Sequence, residues 1–275
     1  MPFLASHASG EAVNIYYEDL GKGKPIVLIH GWPLSGSMWE YQVTGLLDEG
    51  YRVITYDRRG FGKSDYPGTG YDYETLAGDL QALIAHLNLT DATLVGFSMG
   101  GGEIAKYFGK YGGAGVIKTV LISSVLPFML KTSDNEDGIP QDIFDAMGHG
   151  MKTDRPSFLA DFTKNFYSVG FINKPISDAY INVAVNNAMN SSPVATLACA
   201  NSFATTDFRA DVVKINVPTL IIHGSEDKIV PIEASSDKTA KLLPAAQYKK
   251  YDGAPHGLWF TSQKELLNDL VEFIK

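Results

Sequence analysis

The sequence predicts an α/β protein: a mostly parallel, doubly wound sheet of about eight strands, with a helical cap inserted late in the chain. Three observations lead there. Short apolar runs rich in β-branched residues recur along the chain, continuous rather than alternating in hydrophobicity, as strands covered on both faces require. Segments of helical period separate them, which calls for right-handed crossovers between parallel strands. One long interval, from Ser124 to about Ile215, carries no good strand at all.

The elements follow in chain order. "VNIYYED" (13–19) reads as a strand, antiparallel and near an edge, and "PIVLIHG" (25–31) and "YRVITYD" (51–57) as buried strands. Leu76, Leu80, Leu83 and Leu87 form one stripe of an amphipathic helix. "ATLVGFS" (92–98) and "IKTVLIS" (117–123) are the next buried strands. In the strandless interval, Pro140, Pro156 and Pro193 sit where a first helical turn accepts proline. Apolar residues at helical spacing follow them, among them Phe158, Phe162 and Phe166, then Ile181, Val185 and Met189. "PTLIIHG" (218–224) resumes the sheet, "AQYKKYDG" (246–253) supplies its last strand, and Leu266, Leu267, Leu270 and Ile274 lie along a final helix. The expected organisation is a core of residues 1–124 and 216–275 around a cap of residues 125–215.

Composition narrows the function classes. The 275 residues are 45% hydrophobic, enough for one large domain or a domain with an insertion. Net charge is −8, from 31 acidic against 23 basic residues, and no Lys/Arg cluster offers an electrostatic footprint for nucleic acid. No apolar run approaches the ~18 to 20 residues that span a bilayer. The first twenty residues carry Glu11, Glu18 and Asp19 in place of a signal-peptide core. The single cysteine, Cys199, makes no intrachain disulfide, in keeping with a reducing compartment. The expectation is a soluble, cytoplasmic protein that binds neither nucleic acid nor membrane.

"TLVGFSMGGGEIAKY" (93–107) carries the chemistry. A Walker loop needs a lysine and a hydroxyl after its last glycine, but Gly101 is followed by Gly102 and Glu103, and a glutamate repels phosphate. A dinucleotide fingerprint fails because its second glycine would be Ser98 itself. Gly96-Phe97-Ser98-Met99-Gly100 does match G-x-S-x-G, with a strand before it and a helix after it. So tight a turn brings its −2 and +2 neighbours into contact, which glycine relieves, and leaves the serine hydroxyl projecting above the carboxyl edge of the sheet. The following helix points its N-terminus at any anion formed beside Ser98.

A serine needs a base, and the base needs an orienting carboxylate. On this strand–turn–helix scaffold they follow in the order Ser, Asp/Glu, His. Of six histidines, His7 lies in a terminus, His86 in a helix before the serine and His149 in the cap. His30 and His223 end strands, where a ring bonds nearby backbone. His256, in "YDGAPHG" between the last strand and the last helix, fits both order and place. Asp227, just beyond "PTLIIHG", is the choice of carboxylate, with its neighbour Glu226 and then Asp252 as alternatives. The Met99 N–H supplies one oxyanion donor and the loop "HGWPL" the other, through Trp32, which also offers an aromatic pocket wall.

"HGWPLSGSMWEYQ", "YDRRGFGKSDYPGTGYDYETLAGDL", "LVGFSMGGGEIAKY", "TDFRADVVKINVPTLIIHGSEDKIVP" and "APHG" together resemble the cofactor-free haloperoxidase and aryl-esterase branch of the α/β-hydrolase fold, from about Val13 to the C-terminus and most weakly in residues 131–200. The resemblance implies a Ser98–Asp227–His256 triad with Trp32 and Met99 as oxyanion donors, needing neither haem nor metal. It implies hydrolysis of small carboxylic esters, and perhydrolysis in which hydrogen peroxide takes the acyl group and the peracid then oxidises halide. Pro33, after the tryptophan, is similar to the haloperoxidase-named members. Thr205 departs from the glutamate more common in the family. Relatives imply self-association, which no residue here establishes. Arg58 and Arg59 read as scaffold arginines paired to carboxylates rather than as an anion clamp. Phe162, Phe203, Ile229 and Val230 are candidates to line an acyl pocket. A lactamase for small cyclic amides, or a non-catalytic receptor on the same fold, are the competing readings.

Overall fold

The computed structural model describes residues 2–170 and 174–275. Eight strands form one sheet: β1 (Phe3–Ser6), β2 (Val13–Gly21), β3 (Pro25–Ile29), β4 (Arg52–Tyr56), β5 (Ala92–Phe97), β6 (Val116–Ile122), β7 (Thr219–Gly224) and β8 (Gln247–Tyr251). Their order is β1-β2-β4-β3-β5-β6-β7-β8. β1 pairs antiparallel with β2 and β2 antiparallel with β4; every other pairing is parallel. β2 is antiparallel and near the edge as expected; the edge strand itself is β1, too short to stand out by pattern. Ser6, at its end, donates a hydrogen bond to the buried Asp79 carboxylate, so the chain just before His7 is fixed in the sheet.

The continuous hydrophobicity of the strands has its expected cause. Successive side chains of one strand enter two different cores. Val27, Ile29, Leu94, Leu121 and Ile221 face one, with Leu76, Leu80, Leu83 of α2 (Tyr73–His86) and Ile104 of α3 (Met99–Tyr111). Leu28, Val95, Val120 and Ile222 face the other, with Leu46 of α1 (Glu40–Asp48) and a helix at the chain's end, Gln263–Ile274, that inserts Leu266, Leu270 and Ile274.

Between β6 and β7 the described chain is helical: α4 (Gln141–Thr153), α5 (Arg155–Phe166), α6 (Asp178–Met189), α7 (Pro193–Thr205) and the short α8 (Arg209–Val212). Local chemistry starts three of them. Asp154 accepts from Ser157 N–H ahead of α5, with Pro156 in the first turn. Ser177 accepts from Tyr180 N–H at α6, and Ser192 from Ala195 N–H at α7, where Pro193 opens the helix. Pro140 stands one position earlier than expected, as the cap residue of α4 rather than inside its first turn. α9 (Ser236–Leu242), α10 (Leu258–Thr261) and α11, the terminal helix already described, complete the chain.

Two buried ion pairs fasten the loop after β4. Arg58 pairs with Glu103 of α3, which also accepts from Tyr56, and Arg59 holds Asp79 of α2 through two bonds of 2.6 and 2.7 Å. This is the scaffold role expected of both arginines. Glu103, which argued against phosphate, has Arg58 as its partner.

Candidate active site

Reversal of strand order between β3 and β5 leaves a crevice at their carboxyl ends, where ligands bind in open α/β sheets. Ser98 stands there, between β5 and α3, at φ +52 and ψ −116, a conformation costly for any residue with a side chain. The turn is held around it: Ser98 N–H donates to Ile122 O at 2.8 Å, and Ser98 O accepts from Gly101 and Val125 N–H. The two flanking glycines are required by close approach. A Cβ on Gly96 would lie 2.7 Å from the Gly100 carbonyl, and one on Gly100 would lie 2.6 Å from Ile29 O. Gly96→Ala is therefore expected to displace the serine and lower kcat/KM on the order of 10²-fold or more, with a cooperative melt retained; steady-state kinetics alongside thermal unfolding checks it, and an unchanged kcat/KM would overturn the steric argument.

His256, in the loop after β8, and Asp227, in the loop after β7, meet the serine. Ser98 Oγ lies 3.0 Å from His256 Nε2, and His256 Nδ1 lies 2.6 Å from Asp227 Oδ2. All three residues are buried. Asp227 Oδ1 accepts from the N–H groups of Ile229 (3.0 Å) and Val230 (2.8 Å). Burial by itself pushes the Asp227 carboxyl up, but the His256 charge and the bonds from His223 and His256 outweigh it and hold the group well below the usual carboxylate range. An ionised Asp227 puts the imidazole proton on Nδ1, so that Nε2 is free to accept from the serine. Glu226 and Asp252, the alternative carboxylates, are both exposed and take no part in this chain of bonds.

The other residues expected at the site lie near Ser98. Met99 opens α3, and Trp32 follows β3 across Gly31, whose Cβ, if it had one, would lie 3.1 Å from Ser98 Cβ. Among the described residues, neither the Trp32 nor the Met99 backbone N–H has a protein acceptor. The Trp32 indole donates to Thr196 O of α7 at 3.0 Å and meets Phe162 and Phe203 edge to face, which fastens the loop to the cap. A cavity of about 560 Å³ opens over the serine, and Phe162, Phe203, Ile229 and Val230 all line it. Its size suits a small organic molecule.

Three contributions escaped sequence reasoning. Phe166 of α5 packs edge to face on His256, with ring centroids 4.6 Å apart, while Phe97 lies on the ring at 4.9 Å. Met129, Ile139, Phe144 and Phe158 extend the cavity wall; the helical spacing of Phe158, Phe162 and Phe166 was visible, but which face met the serine was not. His223, expected to bond backbone, does so at Val230 O (2.8 Å), yet its Nε2 is also 3.1 Å from Asp227 Oδ2, and Ser236 holds its Nδ1 at 2.7 Å. His30 is purely scaffold: its Nδ1 meets Gly31 O, its Nε2 accepts from Arg58 N–H, and burial with the Arg58 charge holds its pKa well below normal.

A serine on a strand–turn–helix elbow, followed in the chain by a carboxylate and a histidine at later strand ends, defines a class of protein. The chain belongs to that class, the alpha/beta hydrolase fold, whose family model matches residues 24–262, and within it to the branch of non-heme haloperoxidases and esterase/perhydrolases. It is 40% identical to a non-heme chloroperoxidase of Kitasatospora aureofaciens, over 96% of this chain and 97% of that protein. It is 36% identical to a bifunctional esterase/perhydrolase of Acinetobacter calcoaceticus, over 96% and 97% respectively. The crystal structure of a bromoperoxidase from Bacillus anthracis superimposes with a TM-score of 0.95 at 44% identity, covering 99% of each chain. Among the described residues, no helix is long and apolar enough to cross a membrane.

Proposed function

We propose that this protein is a serine hydrolase of small carboxylic esters that also transfers the acyl group to hydrogen peroxide. The observation that carries the reading is the unbroken run of short contacts from Asp227 through His256 to the hydroxyl of Ser98, which lines an apolar cavity. In this mechanism His256 Nε2 takes the serine proton as Oγ attacks the ester carbonyl. The Trp32 and Met99 N–H groups receive the oxyanion, and Asp227 stabilises the imidazolium. His256 then protonates the departing alcohol, leaving an acyl-enzyme. Water or hydrogen peroxide, deprotonated by His256, releases a carboxylic acid or a peracid. The peroxide branch is supported by the bifunctional esterase/perhydrolase relative and by those named haloperoxidases. Phe162, Phe203, Ile229 and Val230 would hold the acyl group, since the wall they form is apolar and its burial of hydrocarbon is worth about 0.8 kcal/mol per CH₂.

Rapid mixing with a short p-nitrophenyl ester tests the reading. A burst of p-nitrophenol should accompany an acyl mass adduct on the peptide containing Ser98. Peroxide should draw the acyl group into peracid at the expense of free acid. Ester turnover with the adduct on another residue would overturn the nucleophile assignment, and bromination that ignores peroxide would overturn the perhydrolase branch.

A further inference from the structure

We infer that Met147 on α4 is a site of sulfoxidation by the peracid formed at Ser98, an inference that rests on the perhydrolase half of the function proposed above. The chain has seven methionines. Among those described, Met129 and Met147 are the ones that line the cavity containing Ser98. Met129 is only 1% exposed, whereas Met147 is half-buried, so Met147 is the more accessible of the two. Phenyl rings and aliphatic chains, which a peracid leaves alone, make up most of the rest of the wall; besides the buried Met129 and the Trp32 indole, the flexible Met147 thioether is its soft nucleophile. Met147 also lines a groove between α4 and α7 on the far side, so this side chain divides the catalytic cavity from the cap's outer surface.

The chemistry balances without a further reagent. Hydrogen peroxide attacks the acyl-enzyme carbonyl, the carbonyl–Oγ bond breaks, Ser98 regains its proton through His256, and the peracid departs into the cavity. The Met147 sulfur attacks the terminal peroxy oxygen. An S–O bond forms as the O–O bond breaks, sulfur gives up two electrons, and the peracid's proton stays with the carboxylic acid that leaves. A chiral, polar sulfoxide then stands in an apolar wall. Phe144, Met147 and Met151 are what α4 packs against the core, so the change falls on the seat of that helix and lowers the site's affinity for apolar acyl groups.

Peptide mapping by mass spectrometry tests this on the intact protein. Met189 is the internal reference: half-buried like Met147, but outside the cavity. Peracetic acid added to Ser98→Ala gives the Met147-to-Met189 sulfoxide ratio set by exposure alone. Wild type turning over an acetate ester with peroxide, in excess N-acetylmethionine to consume released peracid, should exceed that ratio by roughly tenfold, because oxidant is generated inside the cavity. Peroxide without ester should not raise it. Peracid is followed in parallel by bromination of monochlorodimedone. Peracid formed with a ratio equal to the Ser98→Ala control overturns this inference alone. No peracid at all overturns the perhydrolase reading and takes the inference with it.

Discussion

Ser98→Ala should lower kcat on a p-nitrophenyl ester by about 10⁶, and Asp227→Asn by about 10⁴. The two losses have different origins. Alanine removes the attacking oxygen but leaves the turn intact, because the bonds that hold the elbow are made by the Ser98 backbone. Thermal stability should therefore stay close to wild type, and ester binding should survive as a stable, unreacted complex. Asparagine at 227 keeps the shape of the carboxylate but not its charge. Its amide turned toward Nδ1 would favour the tautomer with hydrogen on Nε2, where the Ser98 proton has to go. The buried ring also loses the charge that stabilises it once protonated. Single-turnover kinetics and thermal melts on both variants read these effects. A Ser98→Ala rate within tenfold of wild type would remove the serine from the mechanism.

Arg58→Ala is expected to destabilise the fold by about 3–5 kcal/mol, because it strands a buried glutamate. Both side chains of the Arg58–Glu103 pair are 1% exposed. The guanidinium also donates to His30 O at 2.7 Å, so the same change loosens the segment leading to Trp32. For a domain of this size the melting temperature should fall by roughly 6–20 °C. Arg58→Met combined with Glu103→Leu should recover part of that, since removing both charges leaves no ion unpaired, although Tyr56 and His30 still lose partners. Thermal denaturation decides it: a single variant within 1 °C of wild type would mean that Glu103 finds another partner or ionises no longer.

The strand-and-helix alternation was legible because each central strand is buried on both faces, so its residues are apolar without interruption, and each helix shows a single stripe. β1 was not legible: Phe3–Ser6 is too short for a pattern, and its place at the edge follows from pairing with Val13 to Tyr16 and from the Ser6–Asp79 bond. The turn at Ser98 was legible because a turn that tight restricts its neighbours to glycine, and steric demands of that kind are written locally. Asp227 was separated only weakly from Glu226 and Asp252. Their difference is burial and the direction of a side chain, and neither is a property of three acidic residues in polar loops.

The sequence by itself thus determined the architecture, the glycine-flanked turn at Ser98 and a short set of candidate partners for it, because periodicity and backbone sterics act between residues near one another in the chain. Only the tertiary structure decided which carboxylate faces His256, that His223 reaches the same Oδ2, that Phe166 packs on the His256 ring and that Met147 shares a cavity with Ser98. Those contacts join residues from separate strands and cap helices, and their distances depend on how layers pack, which no local pattern encodes.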